Sequence, residues 1–471
     1  MAEFLIANMA PIMFASMIVF LLVGFPVAFA LAANGIVFGL LGIQLGLLGP
    51  QLFQALPDRI YGVMANETLL AVPFFTFMGL ILERSGMAED LLDTIGQLFG
   101  PIRGGLGYAV ILVGALLAAT TGVVAASVIS MGLISLPIML RYGYDKRLAC
   151  GVISASGTLA QIIPPSLVLI VMADQLGKSV GDMYAGALIP GLVLTGLYVV
   201  YVLVVSIVKP HWVPALPLEA RRLRGAALML RVLTTLLPPL LLIFLVLGTI
   251  FLGIATPTEG GAMGATGALI MALVRKQMNL KLLKQAMEST AKLTTFVLFI
   301  LIGARVFSLT FYGVDGHLWV EHLLVDLPGG QLGFLIVVNI LVFFLAFFLD
   351  YFELSFIIIP LLAPVADKLG IDLIWFGVLL AVNMQTSFLH PPFGFALFFL
   401  RSVAPGSVKS SDIYWGAVPF VGIQVVMIAL VIAFPQMVSF NLDKASNVDV
   451  NSIKIEIPAY EYNNDDTVPA Q

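Results

Sequence analysis

Two apolar stretches of membrane length each contain a proline pair, Pro164-Pro165 and Pro391-Pro392. Each pair removes two amide donors from what would otherwise be a continuous helix, so a break is expected at both places. In hydrocarbon the backbone carbonyls released by a break need a partner, which a cavity or an ion can supply. Such carbonyls are hard, uncharged oxygen ligands. They are typical of a site that binds a monovalent cation beside a solute.

Hydroxyl and amide side chains lie just before each proline pair. Any single hydroxyl could serve a ligand or could bond to its own helix, and both alternatives stay open. As a group the side chains favour a sodium site rather than a calcium site, because no carboxylate accompanies them. We predict that the substrate contacts two sets of residues: Gly157, Thr158 and Gln161 at the first break, and Asn383, Gln385 and Ser387 at the second.

Ionisable residues at membrane depth are rare and usually functional. Asp350 and Glu353 lie in the middle of an apolar stretch. Asp350 could cap the next helix or hold a cation, and Glu353 could carry a proton. Arg305 could be the counter-charge of a carboxylate substrate, snorkel outward or pair with Glu353. His390, next to Pro391, could relay protons or pack as a hydrogen-bonded histidine.

The composition indicates that membrane helices position these residues. Of 471 residues, 60% are hydrophobic and 11% are charged, and the mean hydropathy is +1.06. These values exclude a soluble domain and predict an all-α polytopic membrane protein. At ~20 residues per span, the apolar stretches allow about ten spans plus extra segments. The single cysteine, Cys150, is predicted to be a small apolar filler.

The remaining apolar stretches predict the spans and the topology. The predicted spans are residues 8–32, 35–52, 66–83, 184–208, 232–252, 258–274, 291–312 and 413–436. Residues 87–100 have the pattern of an arm helix that lies in the interface plane, and 313–327 is a second interfacial segment. The basic linker 209–231 is predicted to be cytoplasmic. Counting crossings from this linker places the N-terminus and the acidic, mobile tail 437–471 on the outer side.

Two segments are predicted to be re-entrant helical hairpins. Residues 104–140 carry no charge, while Arg103 and Arg141 bound them. Basic residues favour the cytoplasmic face, so both ends of this segment are expected there. Two short full spans are the alternative for this segment. The second hairpin is predicted at 332–366.

Matching residues recur at a constant offset along the chain. At 227 residues, Pro137, Gly143, Asp145 and Pro164-Pro165 match Pro364, Gly370, Asp372 and Pro391-Pro392. Residues 1–230 and 231–436 are therefore predicted to be two repeats, each with a hairpin and a discontinuous helix (148–175 and 373–400). Because the first hairpin opens inward and the second outward, the repeats are expected to have inverted topology around a central site.

Three motifs resemble the large membrane subunit of tripartite ATP-independent periplasmic (TRAP) transporters. They are Asn66-Glu67-x-Leu69-x-Ala71-x-Pro73-Phe74-Phe75, Ala155-Ser156-Gly157-Thr158-Leu159 with Ile162-Ile163-Pro164-Pro165-Ser166, and Val382-Asn383 with Pro391-Pro392 and Gly394. The resemblance extends to about residue 436. It implies an elevator-type carrier, in which both hairpins and both broken helices form a transport domain that slides against a scaffold of outer spans.

The resemblance also implies a sodium gradient as the driving force and two sodium sites. The first would use Thr121, Gly122, Gly157, Ile163 and Pro164, and the second Asp350, Asn383 and Thr386. Many relatives have Ser-Gly-Ser at the first tip, whereas Thr121-Gly122-Val123 has one hydroxyl fewer and leaves more to backbone carbonyls. Two partners are implied: a periplasmic substrate-binding protein and a small four-span membrane subunit, here a separate chain.

The sequence therefore predicts sodium-coupled uptake of an organic acid, such as a C4-dicarboxylate, a 2-oxo acid or a sugar acid, across the bacterial inner membrane. The alternative is a stand-alone proton-coupled anion carrier that uses Glu353 and His390. A channel or an intramembrane enzyme is the rival of another class, but a continuous polar stripe and a catalytic pair are both missing from the sequence. No enzyme activity, no cofactor besides the coupling ion and no nucleic-acid partner are predicted, and membrane lipid surrounds the spans.

Overall fold

The computed structural model describes residues 2–122, 124–221, 223–440 and 442, and these ranges contain helices and turns but no β-strand. By length and composition, six of the helices could cross a bilayer, or seven if one bent pair counts as a single span. The expectation of an all-α polytopic membrane protein is confirmed. The number of long spans is below the predicted ten, because several apolar segments are divided into shorter helices.

Eleven α-helices lie before the basic linker 209–231 or end at it, and eleven follow from Gly225 onward among the described residues. The first half contains α1 (Ala2–Ala7), α2 (Met9–Val23), α3 (Val27–Gln44), α4 (Leu56–Met64), α5 (Ala71–Arg84), α6 (Met87–Phe99), α7 (Gly105–Thr121), α8 (Val124–Arg141), α9 (Lys146–Thr158), α10 (Leu167–Leu176) and α11 (Val180–Val208). The second half contains α12 (Gly225–Phe251), α13 (Pro257–Val274), α14 (Leu280–Gly313), α15 (Gly316–Val325), α16 (Gly330–Leu345), α17 (Tyr351–Ile357), α18 (Ile359–Lys368), α19 (Leu373–Met384), α20 (Phe395–Val403), α21 (Ser410–Ala433) and α22 (Gln436–Ser439). Short 3-10 helices lie at Pro50–Ala55, Leu159–Gln161, Pro210–Trp212, Leu218–Ala220 and Gln385–Phe388.

The predicted single span over residues 8–32 is wrong, because the chain breaks between α2 and α3. Gly24 ends α2 with a left-handed backbone at φ +90°, a conformation that glycine adopts without steric cost. Pro26 then precedes α3 and has no amide to continue the helix. The next predicted span, 35–52, is also shifted: α3 begins at Val27 and ends at Gln44.

Two further segments differ in length from their predictions. The segment predicted at 66–83 forms α5, which has only 14 residues and is preceded by turns. The segment predicted at 291–312 is part of α14, a helix of 34 residues. Its added first turns contain Lys284 and Glu288, which form an i,i+4 ion pair at 3.9 Å. A polar first part and an apolar second part thus share one helix.

Two helix pairs pack closely through glycines. A Cβ atom on Gly303 of α14 would lie 2.4 Å from the carbonyl oxygen of Ala28 on α3. A Cβ atom on Gly264 of α13 would lie 2.5 Å from the sulfur of Met78 on α5. Small residues at such contacts let helix backbones approach each other, which is the main source of packing energy between helices in a membrane.

Helices α7 and α8 form a hairpin whose two ends lie together. The amide of Gly104 donates to Val213 O at 3.0 Å, and the amide of Asp145 donates to Trp212 O at 2.9 Å. Both ends of the hairpin therefore contact the same piece of the basic linker. The turn between the helices contains Gly122, which has a φ of +58°.

Helix α16 and the two short helices α17 and α18 form the hairpin in the second half of the chain. Its two ends are joined by a hydrogen bond from Gln331 Nε2 to Leu369 O at 2.7 Å. The returning arm is divided into α17 and α18, of 7 and 10 residues. Helix α15, the segment predicted to be interfacial, is bent by 117° relative to α16 and so points away from the axis of that hairpin helix.

The arm helix and the tail define the periphery. Helix α6 coincides with the predicted arm helix 87–100 and buries Met87, Leu91 and Ile95. The predicted tail begins later than residue 437, because α22 packs on α11 and Val438 is fully buried beside Gly186. The rest of the predicted tail, apart from residues 437–440 and 442, lies outside the described residues.

Candidate functional site

A cavity of about 250 Å³ lies where the tips of the two hairpins meet. Gly122 from the first tip and Asp350 from the second both line it, and Gln161 and Phe388 reach it from the two helix breaks. Its other lining residues are Val124, Ala125, Leu167, Val168, Leu293, Phe296, Tyr351, Phe352, Phe395 and Phe399. The fold thus brings both predicted tips and both predicted breaks to one place.

The first break separates α9 from α10. After α9 the chain makes a 3-10 turn, passes a cis Pro164-Pro165 bond and resumes as a helix at Leu167. Ser166 Oγ donates to Gln161 O at 2.7 Å across the break. Tyr351, from the second hairpin, donates its hydroxyl hydrogen to Val168 O. One carbonyl released by the prolines, Gln161 O, is therefore satisfied by a hydroxyl group.

The second break separates α19 from α20 and is built in the same way. A 3-10 helix, Gln385–Phe388, precedes a cis Pro391-Pro392 bond. The side-chain nitrogen Nδ2 of Asn383 donates to Asn339 on α16. The distance is 2.8 Å to the backbone oxygen of Asn339 and 2.9 Å to its Oδ1. This pair of bonds attaches the broken helix to the second hairpin.

The two breaks are joined directly by Gln385 and Thr158. Gln385 Nε2 donates to Thr158 Oγ1 at 3.2 Å, and both side chains are fully buried. Thr158 Oγ1 in turn donates to Ala155 O at 2.9 Å. Similarly, Thr386 Oγ1 donates to Asn383 O at 2.6 Å. Both threonine hydroxyls thus bond to their own helices. Thr158 Oγ1 already accepts from Gln385, whereas Thr386 Oγ1 keeps lone pairs that a cation could use.

Several buried oxygens at the breaks have no hydrogen-bond partner in the described part of the chain: Gln161 Oε1, Asn383 Oδ1, Gln385 Oε1 and Ser387 Oγ. Their side chains are at most 2% exposed. Leaving such an atom unpaired costs about 1–3 kcal/mol. Four of them in two adjacent breaks are therefore expected to have ligands in the working protein.

Asp350 and Glu353 form a reciprocal helix cap. Asp350 Oδ1 accepts from the Glu353 amide at 2.9 Å, and Glu353 Oε2 accepts from the Asp350 amide at 2.9 Å. The capping alternative thus describes the geometry of Asp350, while its role as a cation ligand stays a prediction. Glu353 also lines a second cavity, of about 680 Å³, together with Lys292 of α14.

Arg305 lies apart from this site. It is half-buried on α14 and belongs to the lining of neither the tip cavity nor the larger one. Among the described residues there is no ion pair between Arg305 and Glu353. Its assignment as the substrate counter-charge stays a prediction without a supporting contact in this conformation.

His390 is buried among aromatic rings. Its ring centroid lies 4.1 Å from that of Phe347 and 4.3 Å from that of Phe343, and its side chain is 1% exposed. It does not line the tip cavity. Both alternatives for His390, the proton relay and the hydrogen-bonded packing histidine, therefore stay predictions.

The residues predicted to form the first sodium site lie in different surroundings in the structure. Gly122 lies against the start of α10, where its Cβ would be 3.1 Å from Leu167 Cγ. Gly157 is a packing glycine, because a Cβ there would be 2.3 Å from Val128 Cγ2. Ile163 and Pro164 are buried in the break itself. The side chain of Thr121 lies outside the described part of the structure.

Sequence reasoning missed the aromatic lining of the cavity. Five phenylalanines and one tyrosine contribute to it: Phe296, Phe352, Phe388, Phe395, Phe399 and Tyr351. With 33 phenylalanines in the chain, residue type alone could not select these five. The available signal was position, since Phe352 and Phe388 flank the predicted tip and the predicted break.

Residues 14–437 match the family model described as tripartite ATP-independent periplasmic transporter, DctM component. The C4-dicarboxylate TRAP transporter large permease protein DctM of Pseudomonas aeruginosa is 32% identical over 390 residues, which cover 83% of this chain and 89% of that protein. The ectoine TRAP transporter large permease protein TeaC of Halomonas elongata is 28% identical over 442 residues, covering 93% and 100%. This chain is similar in fold to the crystal structure of the Alcanivorax borkumensis YdaH transporter, with a TM-score of 0.60 at 15% sequence identity. The alignment covers 83% of this chain and 90% of that chain.

Proposed function

The chain belongs to the DctM family of tripartite ATP-independent periplasmic transporters, and we propose that it imports an organic acid across the bacterial inner membrane by sodium symport. As a member of this family it is a multi-pass transporter permease and not an enzyme. The observation that carries the proposal is the cavity that both hairpin tips and both helix breaks line. Gln161, whose Oε1 has no partner among the described residues, reaches it from the first break, and Phe388 reaches it from the second. Discontinuous helices that meet at one site are the usual architecture of secondary transporters.

The packing of the broken helices supports an inverted repeat. Gly377 of α19 lies against Leu176 of α10, which follows the first break. Helix α20, which follows the second break, contacts α9, which precedes the first break. The part before one break thus packs beside the part after the other, as two antiparallel copies would.

The hairpins support an elevator movement. Helices α7 and α16 have 17 and 16 residues, or about 25 Å of helix, which is short of the ~30 Å hydrocarbon core. Helix α8, with 18 residues, is one of the six that could cross a bilayer by length and composition, so the first hairpin is inferred from its joined ends rather than from its length. Each hairpin returns to its own end, while both tips reach the shared cavity. We assign both hairpins and both broken helices to the transport domain, and the glycine-packed pairs α3–α14 and α5–α13 to the scaffold.

Two groups of oxygens suit sodium. The first comprises the predicted ligands at Gly122, Gly157, Ile163 and Pro164, and the second comprises Asn383, Thr386 and Asp350. The hydroxyl of Thr386 donates to Asn383 O, so its oxygen keeps lone pairs for a ligand. Uncharged oxygens with one carboxylate suit a monovalent cation that must be released in every cycle.

The tripartite family description supports two partners, a small membrane subunit and a periplasmic binding protein. With the basic linker in the cytoplasm, both chain ends are proposed to be periplasmic. The position of α22 beside the start of α11 is consistent with this topology, because α11 ends at the linker on the opposite side.

Reconstitution tests the proposal. The chain and its small subunit are placed in proteoliposomes, the binding protein is added outside, and uptake of labelled organic acid is followed. An inward sodium gradient is expected to drive uptake, and replacement of sodium by choline is expected to abolish it. Equal uptake in choline under an inward proton gradient, without a binding protein, would instead support the proton-coupled carrier that uses Glu353 and His390.

A further inference from the structure

Five phenylalanine rings contribute to the apolar wall of the tip cavity. They come from four different elements: Phe296 from α14, Phe352 from α17, Phe388 from the second break, and Phe395 and Phe399 from α20. None of the described lining residues is a lysine, an arginine or a histidine, and Asp350 is the one carboxylate among them. A solute in this cavity therefore meets apolar surface on most sides.

Such a wall disfavours solutes with many polar groups. Each hydroxyl that leaves water without a new hydrogen bond costs about 1–3 kcal/mol, and an unpaired charge costs much more. A sugar acid would bring several hydroxyls against phenyl rings. A dicarboxylate would place its second charge in the same apolar surroundings. A flat or branched hydrocarbon body would instead gain from contact with the rings.

One end of the cavity is built for a polar group. Gln161 lines the cavity, is 1% exposed, and its Oε1 has no partner among the described residues. The first residues of α10, Leu167 and Val168, line the same cavity, and Ser166 does not cap this helix, because its hydroxyl donates to Gln161 O. Free amides at a helix start attract negative charge. A side-chain amide beside them can donate as well as accept.

The charge of Asp350 is directed to its own helix. Its carboxylate accepts from the amide of Glu353 at the start of α17, where the helix dipole stabilises it. The carboxylate of Asp350 therefore serves as a helix cap. The free hydrogen-bond donors at the cavity wall are the backbone amides at the start of α10.

We propose that this cavity binds a monocarboxylate with an aromatic or branched apolar body, in preference to a dicarboxylate or a sugar acid. The carboxylate accepts hydrogen bonds from the amides at the start of α10 and from Gln161 Nε2, the donor end of that side chain, and the body contacts the phenylalanine rings. The inference rests on the proposed function as an organic-acid importer. The cavity of about 250 Å³ is below the ~300–1,000 Å³ of sites for drug-sized ligands, so the solute is a small acid.

Ligand-induced stabilisation tests the substrate class without a binding protein. The full-length chain in lipid nanodiscs is heated with phenylacetate, 3-methylbutanoate, succinate, gluconate or phenethylamine, in sodium or in choline buffer. A ligand that binds the folded state raises Tm with its concentration. Phenylacetate and 3-methylbutanoate are expected to raise Tm in sodium buffer, whereas succinate, gluconate and the amine leave it unchanged.

The other outcomes are distinct. Stabilisation by succinate or gluconate that requires sodium would overturn the substrate class and leave the proposed function standing. Stabilisation by phenethylamine alone would overturn the assignment of an anion. Equal stabilisation by phenylacetate in sodium and choline would keep the substrate class but contradict sodium coupling. No shift with any acid would contradict the inference.

A matched pair of variants locates the binding. Phe399 lines the cavity, whereas Phe398, its neighbour on α20, does not line it and is 49% exposed. Phe399→Ala is expected to raise the Kd for phenylacetate by roughly tenfold, since a ring contact is lost. Phe398→Ala is expected to leave the Kd unchanged. Equal effects of the two substitutions would place the acid elsewhere.

Discussion

Gln385 Nε2 donates a hydrogen bond of 3.2 Å to Thr158 Oγ1, and these two residues are separated by the same 227 positions that separate the two proline pairs. In the proposed inverted repeat, equivalent residues of the two copies can touch each other only near the axis that relates the copies. The bond therefore lies where a central binding site is expected.

Removal of this bond is expected to destabilise the junction of the two breaks. Thr158→Val and Gln385→Leu are each predicted to lower stability by about 1–2 kcal/mol, and their effects are predicted to be non-additive by about 1 kcal/mol. Thermal unfolding of both single variants and the double variant measures the coupling. The control is Ser206→Ala, which removes an exposed hydroxyl on α11. Strict additivity at positions 158 and 385 would show that the bond contributes nothing.

Asp350→Asn separates the two roles of Asp350. Asparagine is as good an N-cap as aspartate, so the helix cap is retained while the charge is lost. If the carboxylate binds sodium, the sodium concentration for half-maximal uptake is expected to rise at least about tenfold, a loss of roughly 1.4 kcal/mol. Unchanged sodium activation would leave Asp350 as a cap and nothing more.

Thr386→Val tests a hydroxyl of the second break without changing its shape. The substitution removes one oxygen, and we expect a weaker dependence of uptake on sodium, with little change in the amount of folded protein. Thr249→Val is the matched control, because Thr249 makes the same kind of bond to its own helix on α12, far along the chain from either break. Equal sodium curves for the two variants would remove Thr386 from the site.

Gly303→Ala tests the packing of the scaffold pair. The added methyl would lie 2.4 Å from Ala28 O, so α3 and α14 must move apart, at a cost of about 1–3 kcal/mol. Gly248→Ala in α12 is the control, because no atom lies within 4 Å of the added carbon. Melting curves are expected to show a lower Tm for the first variant and an equal or higher Tm for the second.

The ion pair between Glu321 of α15 and Lys368 of α18 predicts a pH effect outside the membrane-spanning segments. The hydrogen bond from Lys368 lowers the pKa of Glu321. The pair therefore stabilises the fold above the ordinary pKa of a glutamate, and this contribution disappears as pH falls through the lowered value. The Tm difference between wild type and Glu321→Gln should be present at pH 7 and vanish at strongly acidic pH. A difference that is independent of pH would contradict this cause.

The two broken helices were predicted from their proline pairs together with the polar residues that precede them. Both helices are interrupted at Pro164-Pro165 and Pro391-Pro392, whereas a third pair, Pro238-Pro239, lies inside the continuous helix α12, so a proline pair alone does not predict a break. The break at Gly24 was missed, because the surrounding residues are apolar on both sides and hydropathy does not report a change of direction. Glycine in a left-handed conformation depends on packing that the sequence pattern does not contain.

The site itself was only partly predictable. The polar residues near the prolines could be selected by type and position, and Gln161 lines the cavity as part of that set. The choice between capping and ion binding at Asp350 could not be made, since both use the same carboxylate. The aromatic wall could not be predicted, because it combines residues from four elements that are far apart in sequence.

Access to the tip cavity from the two sides of the membrane tests the central claim most directly. The chain has one cysteine, Cys150, which is fully buried, so a cysteine placed at Ala125 in the cavity wall reports on access in a Cys150→Ala background. Membrane-impermeant thiol reagents are applied to either side of proteoliposomes. Alternating access predicts that sodium and substrate change the two labelling rates in opposite directions. Rates that rise and fall together on both sides, or labelling from one side under all conditions, would contradict a carrier in which this cavity moves between the two faces.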